Sequence, residues 1–253
     1  MAISTNSFLK KFAPCLFGVV LITSSSPADI LGNTVNPDRA NDFTVSASGY
    51  VTGEVGETIN YNFAAQSMSF SVDQTARISF LTAYSFNTDP KYLGVGIYGN
   101  IVEDSANVPD INNTLINFFS PTITTSSTGG GTLYTAKFPA FGIFPEDIQL
   151  PNSTTPYWAV YTTNDPTLDE SVSLRNAQLQ LGIEPYLGVS ATITGTEILG
   201  APPIFETWKI NSSVAVETEV DYLLLPVPEP STLGLVAFGT LGIILLVRRR
   251  APA

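Results

Sequence analysis

The chain has 253 residues, with 11 Lys and Arg against 22 Asp and Glu, a net charge of −11, one cysteine, two tryptophans and no histidine. Without an imidazole there is no Ser-His-Asp triad, no Cys-His pair and no zinc site of the usual kind, and a lone Cys15 provides neither a disulfide framework nor an iron–sulfur cluster. The acidic balance excludes a nucleic-acid binder, which needs clustered cations to meet phosphate.

Charge is also unevenly placed. All 22 acids lie between Asp29 and Glu229 with only six cations among them, which leaves −16 for that stretch, while Lys10, Lys11, Arg248, Arg249 and Arg250 lie outside it. Only 13% of the chain is charged, against roughly 25% in an ordinary soluble domain. Ser, Thr, Asn and Gly take the place of the missing charges, a composition frequent on exported β-proteins.

In chain order, residues 1–28 have the three parts of a secretory signal: the cationic pair Lys10-Lys11, an uncharged apolar run over 12–22, and the small-residue stretch Thr23-Ser24-Ser25-Ser26-Pro27-Ala28. Cleavage is expected after Ala28, with Ser26 at −3. Residues 29–41 are polar and read as a flexible leader. From residue 42 to 226, β signals dominate. Thr58-Ile59-Asn60-Tyr61-Asn62-Phe63 alternates cleanly, with Ile59, Tyr61 and Phe63 on one face. Further strands are expected at 43–51, 68–72, 76–81, 92–98, 132–138, 157–162, 171–181, 187–196, 204–210 and 214–225, and 112–119 reads as a strand or a short helix. No stretch of the body holds a 3.6-residue apolar period for three turns. Ten or eleven short strands separated by turn residues fit a single all-β, jelly-roll-like β-sandwich. The acidic, Asn-rich 103–113 and the Ser/Thr-rich 120–131 are expected as long loops.

The C-terminal segment 227–253 has its own grammar. Val227-Pro228-Glu229-Pro230-Ser231-Thr232 leads into an uncharged apolar run that ends at Arg248-Arg249-Arg250. Residues 231–247 would form a helix of about 25 Å, at the short end for a bilayer crossing. The arginine cluster places its far end in the cytoplasm, and Lys10 and Lys11 place the N-terminus there during export. Both ends thus put the acidic body on the other side of the membrane. Pro-Glu-Pro, apolar helix and Arg cluster together resemble the PEP-CTERM sorting signal of bacteria. The resemblance implies recognition by a membrane-embedded exosortase through Pro228, Glu229, Pro230, Arg248, Arg249 and Arg250. It further implies anchoring by the C-terminal helix before processing, and a mature form at the cell surface or secreted.

Candidate sites in the body are weighed against plain structural roles. Gly94-Val95-Gly96-Ile97-Tyr98-Gly99 fits the dinucleotide pattern by letter, but it lies in a strand with no helix after it, so the glycines are expected to relieve crowding. Tyr157, Trp158, Tyr161 and Trp208 are expected in the core, with a sugar-stacking platform as the alternative. Carboxylates cluster at Glu103-Asp104, Glu146-Asp147, Asp165 with Asp169-Glu170, and Glu217-Glu219-Asp221. The last three alternate and read as the wet side of a strand. Asn164, Asp165, Asp169 and Glu170 offer oxygen ligands for Ca²⁺ without a recognisable calcium-loop spacing. Three Asn-x-Ser/Thr sequences, at Asn112, Asn152 and Asn211, are no more than an Asn- and Thr-rich chain produces by chance. The expectation is a non-enzymatic protein of the cell surface or extracellular matrix, without a required cofactor, acting in adhesion or exopolysaccharide association. The alternatives are a carbohydrate-binding module and an Asp/Glu-dependent carbohydrate-active enzyme, since glycoside hydrolysis needs two carboxylates and no histidine.

Overall fold

The computed structural model describes residues 29–30, 43–49, 52–70, 74–142, 148–151, 154–163, 171–177 and 185–226. The signal segment with Ala28, most of the leader, and the whole of 227–253 lie outside the described residues, as does the Asn164–Glu170 calcium candidate. The described part is nearly all β, and among the described residues no helix is long and apolar enough to cross a membrane.

The first half of the chain supplies β1 (Asp29–Ile30), β2 (Phe43–Ser48), β3 (Thr58–Ser69), β4 (Gln74–Phe86), β5 (Leu93–Glu103), β6 (Ala106–Phe118), β7 (Thr122–Thr128) and β8 (Gly131–Phe141). After these come β9 (Gln149–Leu150), β10 (Tyr157–Thr163), β11 (Ser171–Leu174), β12 (Asn176–Ala177) and the long β13 (Tyr186–Ile198). Four more complete the body: β14 (Ile204–Phe205), β15 (Lys209–Asn211), β16 (Ala215–Val216) and β17 (Thr218–Pro226). Every pairing is antiparallel. All strands but β12 and β16 belong to one hydrogen-bonded sheet. Its path runs β4, β11, β2, β3, β10, β5, β6, β8 and returns to β4 through the β4–β8 ladder. The two faces expected of a sandwich are therefore parts of one continuous sheet that wraps around its own core.

That core draws Phe43, Val45, Met68, Ile78, Leu81, Leu93, Ile97, Phe138, Leu174 and Val220 from strands all around the path. A second, smaller cluster lies on the other side of β3, β10 and β13, built from Ala65, Val108, Trp158, Val160, Ala191, Ile193 and Trp208. Strand β10 lies between the two, so Tyr157, Ala159 and Tyr161 enter one cluster and Trp158 and Val160 the other. This explains why Tyr157-Trp158-Ala159-Val160-Tyr161 is apolar without alternation: a strand covered on both faces reads as a continuous apolar run. The same double burial lets β3 continue through Ala64-Ala65-Gln66-Ser67 to Ser69, so the strand expected at 58–63 runs into the start of the one expected at 68–72, whose last two residues lie outside the described ones.

Gln66 has its side chain in the core at 0% exposure. The β3–β13 register shifts between Leu187 and Ser190, which leaves bulge groups in need of partners. Gln66 Nε2 donates to Gly188 O at 2.9 Å, while its Oε1 accepts from Val216 N at 2.9 Å. One amide thereby fastens β3, β13 and β16 together.

Several expectations are corrected. Residues 103–113 and 120–131 are not loops. Asp104 and Ser105, both at positive φ (48° and 68°), make the two-residue turn of the β5–β6 hairpin, a conformation that suits right-twisted strands. Residues 122–128 are β7, paired along its length with β8. Both segments are polar because their strands face solvent, and β7 is rich in β-branched threonine, which favours extended backbone. The choice at 112–119 resolves as strand, within β6. The strand expected at 171–181 stops at Leu174 and gives way to the short β12, and 204–210 divides into β14 and β15 on either side of Glu206, Thr207 and Trp208.

Candidate polar binding face

The alternation in Thr58–Phe63 sets one side of β3 toward the interior and turns Asn60 and Asn62 outward. Ser46 of β2 and Thr194 of β13 flank Asn62 in register, and Glu206 follows through its N–H bond to Thr194 O. One step along, Ser48, Asn60, Thr196 and Ile204 form a second row in the same manner. Directly opposed residues of antiparallel strands share a face, so the two rows lie side by side on one surface. They line a shallow cleft of about 680 Å³. At about 4.8 Å between strands, each row of four spans about 14 Å.

The chemistry of this face is uniform. It offers two carboxamides, four hydroxyls, one carboxylate and one exposed apolar side chain, Ile204, at 76% exposure. Asn62 Nδ2 donates to Thr44 O at 2.6 Å, and Thr194 Oγ1 donates to Glu206 Oε2 at 2.6 Å. These bonds hold the side chains in place and leave other donor and acceptor positions of the amides and hydroxyls facing the cleft. Beneath the cleft, Tyr61, Phe63 and Phe205 pack ring to ring, with centroids 5.4 to 6.4 Å apart, and Tyr61 Oη donates to Glu197 Oε2 at 2.6 Å. The face is thus backed by a rigid layer. Sequence reading singled out the inward half of this alternation and passed over the outward half.

The residues singled out in the sequence fall elsewhere. Tyr157, Trp158, Tyr161 and Trp208 are buried at 8%, 0%, 0% and 7% exposure and pack into the two apolar clusters, with Trp208 also at the wall of a small cleft beside Ile111 and Phe205. Trp158 Nε1 donates to Asn100 Oδ1 at 2.9 Å, Tyr161 Oη bonds with Thr218 Oγ1, and Tyr157 Oη donates to Pro151 O. The polar tips are satisfied as buried aromatics require. Gly94, Gly96 and Gly99 lie inside β5, where a Cβ on Gly96 would come within 2.9 Å of the Tyr98 ring and one on Gly99 within 2.4 Å of Asn113 Nδ2. Crowding relief is the role that Gly96 and Gly99 play.

The carboxylate row Glu217-Glu219-Asp221, the last two on β17 and the first just before it, departs from its expected wet side. Glu217 is buried at 3%, with Oε2 3.2 Å from Arg175 Nε but without a hydrogen bond of its own. Burial outweighs the guanidinium and, with Glu219 adding to it, pushes the Glu217 carboxyl up to about 7. Glu219 Oε2 accepts from Tyr84 Oη at 2.7 Å, and Asp221 pairs with Lys137 at 2.6 Å. Around them the backbone is tied as well, with Arg175 N bonded to Tyr84 O and Glu217 N to Arg175 O. Glu219 and Asp221 tie β17 to β4 and β8, while Glu217, just before β17, meets Arg175, just past the end of β11. Among the described residues no group of three or more Asp, Glu, Cys or His side chains is placed to hold a metal ion. Glu103 and Asp104 end β5 at its hairpin turn, whereas Glu146 and Asp147 fall outside the described residues.

The described body is an all-β domain with an outward amide–hydroxyl face, and its last strand ends at Pro226. Residues 226–250 match the model of the PEP-CTERM protein-sorting motif, at the C-terminal end of the chain, and no other family is found. The motif marks an exported protein that is sorted through a C-terminal signal, with an exosortase as the processing partner and a C-terminal membrane anchor before processing. No curated protein and no solved structure matches the chain.

Proposed function

We propose that the mature protein is a non-enzymatic component of the bacterial surface or extracellular matrix whose β body associates with polysaccharide through the Asn60–Asn62 face. The observation that carries this reading is the pair of cross-strand rows, which set amides and hydroxyls in a shallow cleft on hydrogen-bonded neighbouring strands. A hydroxyl-rich chain lying along a row meets hydroxyl, amide and carboxylate groups over about 14 Å, and Ile204 supplies contact for the apolar edge of a sugar ring. The ligand class is a neutral polysaccharide. Glu206 at the end of one row and the −16 of the surrounding stretch would repel an anionic polymer unless a divalent cation bridged the two.

Affinity electrophoresis or calorimetry of the protein against a panel of neutral and anionic polysaccharides tests this. Asn60→Ala with Asn62→Ala is expected to weaken binding of a neutral glycan about tenfold, since each lost hydrogen bond contributes about 0.5–1.5 kcal/mol. Turnover of any polysaccharide, abolished by substituting one Asp or Glu, would replace this reading with that of a carbohydrate-active enzyme. For sorting, changing Pro228, Glu229 and Pro230 to alanine is expected to leave a larger, membrane-retained species, and normal maturation of that variant would refute the assignment of these residues.

A further inference from the structure

Strand β7 forms the outer edge of the sheet: among the described residues it pairs only with β8, through a register that runs from Thr122↔Lys137 to Thr128↔Gly131. Its other side presents an open row of backbone donors and acceptors. Proteins usually guard such edges with charge, proline, bulges or shortness. Other open edges here follow that rule. β6 carries Pro109 and Asp110 and breaks register against β5, β15 is three residues long and carries Lys209, and β14 is two residues long and follows Pro202-Pro203. β7 follows Pro121 but has no charge, proline or bulge within its seven residues, Thr122-Ile123-Thr124-Thr125-Ser126-Ser127-Thr128, and all but Ile123 and Thr128 are exposed.

Two observations identify what such an edge takes. From Ile111 to Ala136 there is not one charged residue, in a chain that is otherwise strongly acidic. A second acidic copy would be repelled over most of its surface, and this is where the two can meet without like charges in register. The strand is also its own complement. Turned end for end about Thr125, it sets Thr122 against Thr128, Ile123 against Ser127 and Thr124 against Ser126, and Thr–Thr and Thr–Ser pairs across antiparallel strands are favourable. Beside the start of the strand, Phe119 and Phe141 meet edge to face at 4.7 Å while both stay about half exposed, at 52% and 50%. The same end-for-end register carries Phe119 toward the turn of the other copy, where the space at Gly129 is open, a Cβ there meeting nothing within 4 Å, although Gly131 is packed against Asn87.

We infer that β7 is a self-association edge, through which two copies of this chain join antiparallel about Thr125 into one continuous sheet. This goes beyond polysaccharide contact and is independent of it, because the cleft lies on β2, β3 and β13. The test uses the full chain purified in mild detergent, followed by analytical ultracentrifugation. Wild-type protein is expected to sediment as a dimer at high concentration. Thr125→Lys sets two like charges opposite one another at the symmetry centre and is expected to weaken association about tenfold or more. An equimolar mixture of Thr125→Lys and Thr125→Glu is expected to restore the dimer, which only pairing of position 125 with itself explains. Unchanged circular dichroism of both variants shows that the fold is intact. A monomer at every concentration, a dimer that persists in Thr125→Lys because the tail drives it, or no rescue in the mixture would each overturn the inference.

Discussion

Replacing Gln66 by leucine is expected to be among the most damaging single changes to the body. The side chain is fully buried, and its amide satisfies Gly188 O, with Ser67 O and Val189 O also within 3.4 Å, and Val216 N. Leucine preserves the apolar volume approximately but leaves the Val216 N–H and the bulge carbonyl of Gly188 without their partner. A buried group left unpaired costs about 1–3 kcal/mol. Two such groups, less a modest gain from the added apolar contact, give a loss of about 3 kcal/mol. That is a large part of the roughly 5–15 kcal/mol by which domains are stable, and it corresponds to a fall in melting temperature of roughly 6–12 °C. Urea denaturation followed by tryptophan fluorescence provides the assay, since Trp158 and Trp208 both belong to the smaller apolar cluster that adjoins β3. A midpoint indistinguishable from wild type would refute the reasoning, because it would mean that the bulge finds other partners at no cost.

Three more outcomes follow from the same geometry. The carboxyl of Glu217 is raised in the folded state, so its contribution to stability is fully present below its unfolded value near 4.5 and is lost as pH rises through about 7. By linkage this amounts to up to about 3 kcal/mol. Denaturation midpoints measured between pH 4.5 and 8 should fall with pH, and Glu217→Gln should flatten the slope; an unchanged slope would remove Glu217 as its source. Trp158→Ala empties a site with no exposed surface and breaks the bond to Asn100, at a cost of about 3–5 kcal/mol, so it should lower thermal stability with no selective effect on polysaccharide binding. Gly49→Ala should cost about 1–3 kcal/mol, because Gly49 sits at φ +96° and a Cβ there would come within 2.5 Å of the Thr58 carbonyl oxygen; a thermal shift scan that finds no change would show that the turn relaxes.

What the sequence made legible follows from how local each signal is. The alternation of Thr58–Phe63 and the unbroken run Tyr157–Tyr161 state directly how many faces of each strand are covered, and both were visible before any coordinates. Strands β6 and β7 were hidden for the opposite reason. They pack few apolar side chains, so nothing in residues 103–113 or 120–131 separates an exposed strand from a loop except threonine content and the turn at Asp104-Ser105. The closure of the sheet through β4 and β8 joins Phe80 to Pro139 across 59 residues, and no local pattern encodes it. Glu217 looks identical to Glu219 and Asp221 in sequence. Only the arrival of Arg175 and of the end of β11 from elsewhere in the chain buries one of the three. The polar cleft was half legible: Asn60 and Asn62 were recognisable as outward positions, but which strands flank them is a matter of topology alone.

The junction between the body and its sorting motif has a mechanical consequence. The motif begins at Pro226, the residue that closes β17, and β17 lies alongside β4 in a ladder running from Thr218↔Ala83 to Pro226↔Gln74. While the C-terminus is held at the membrane, drag on the body enters through Pro226, and a pull in line with β17 runs along the axis of this strand. The rungs of the ladder are then loaded together in shear, instead of parting one after another like a zip. Buried anchors such as Val220 and Tyr222 share that load within the main core. A strand so placed makes a strong attachment point for a tethered precursor, and single-molecule pulling from the C-terminus should meet far more resistance than pulling across the β7–β8 edge.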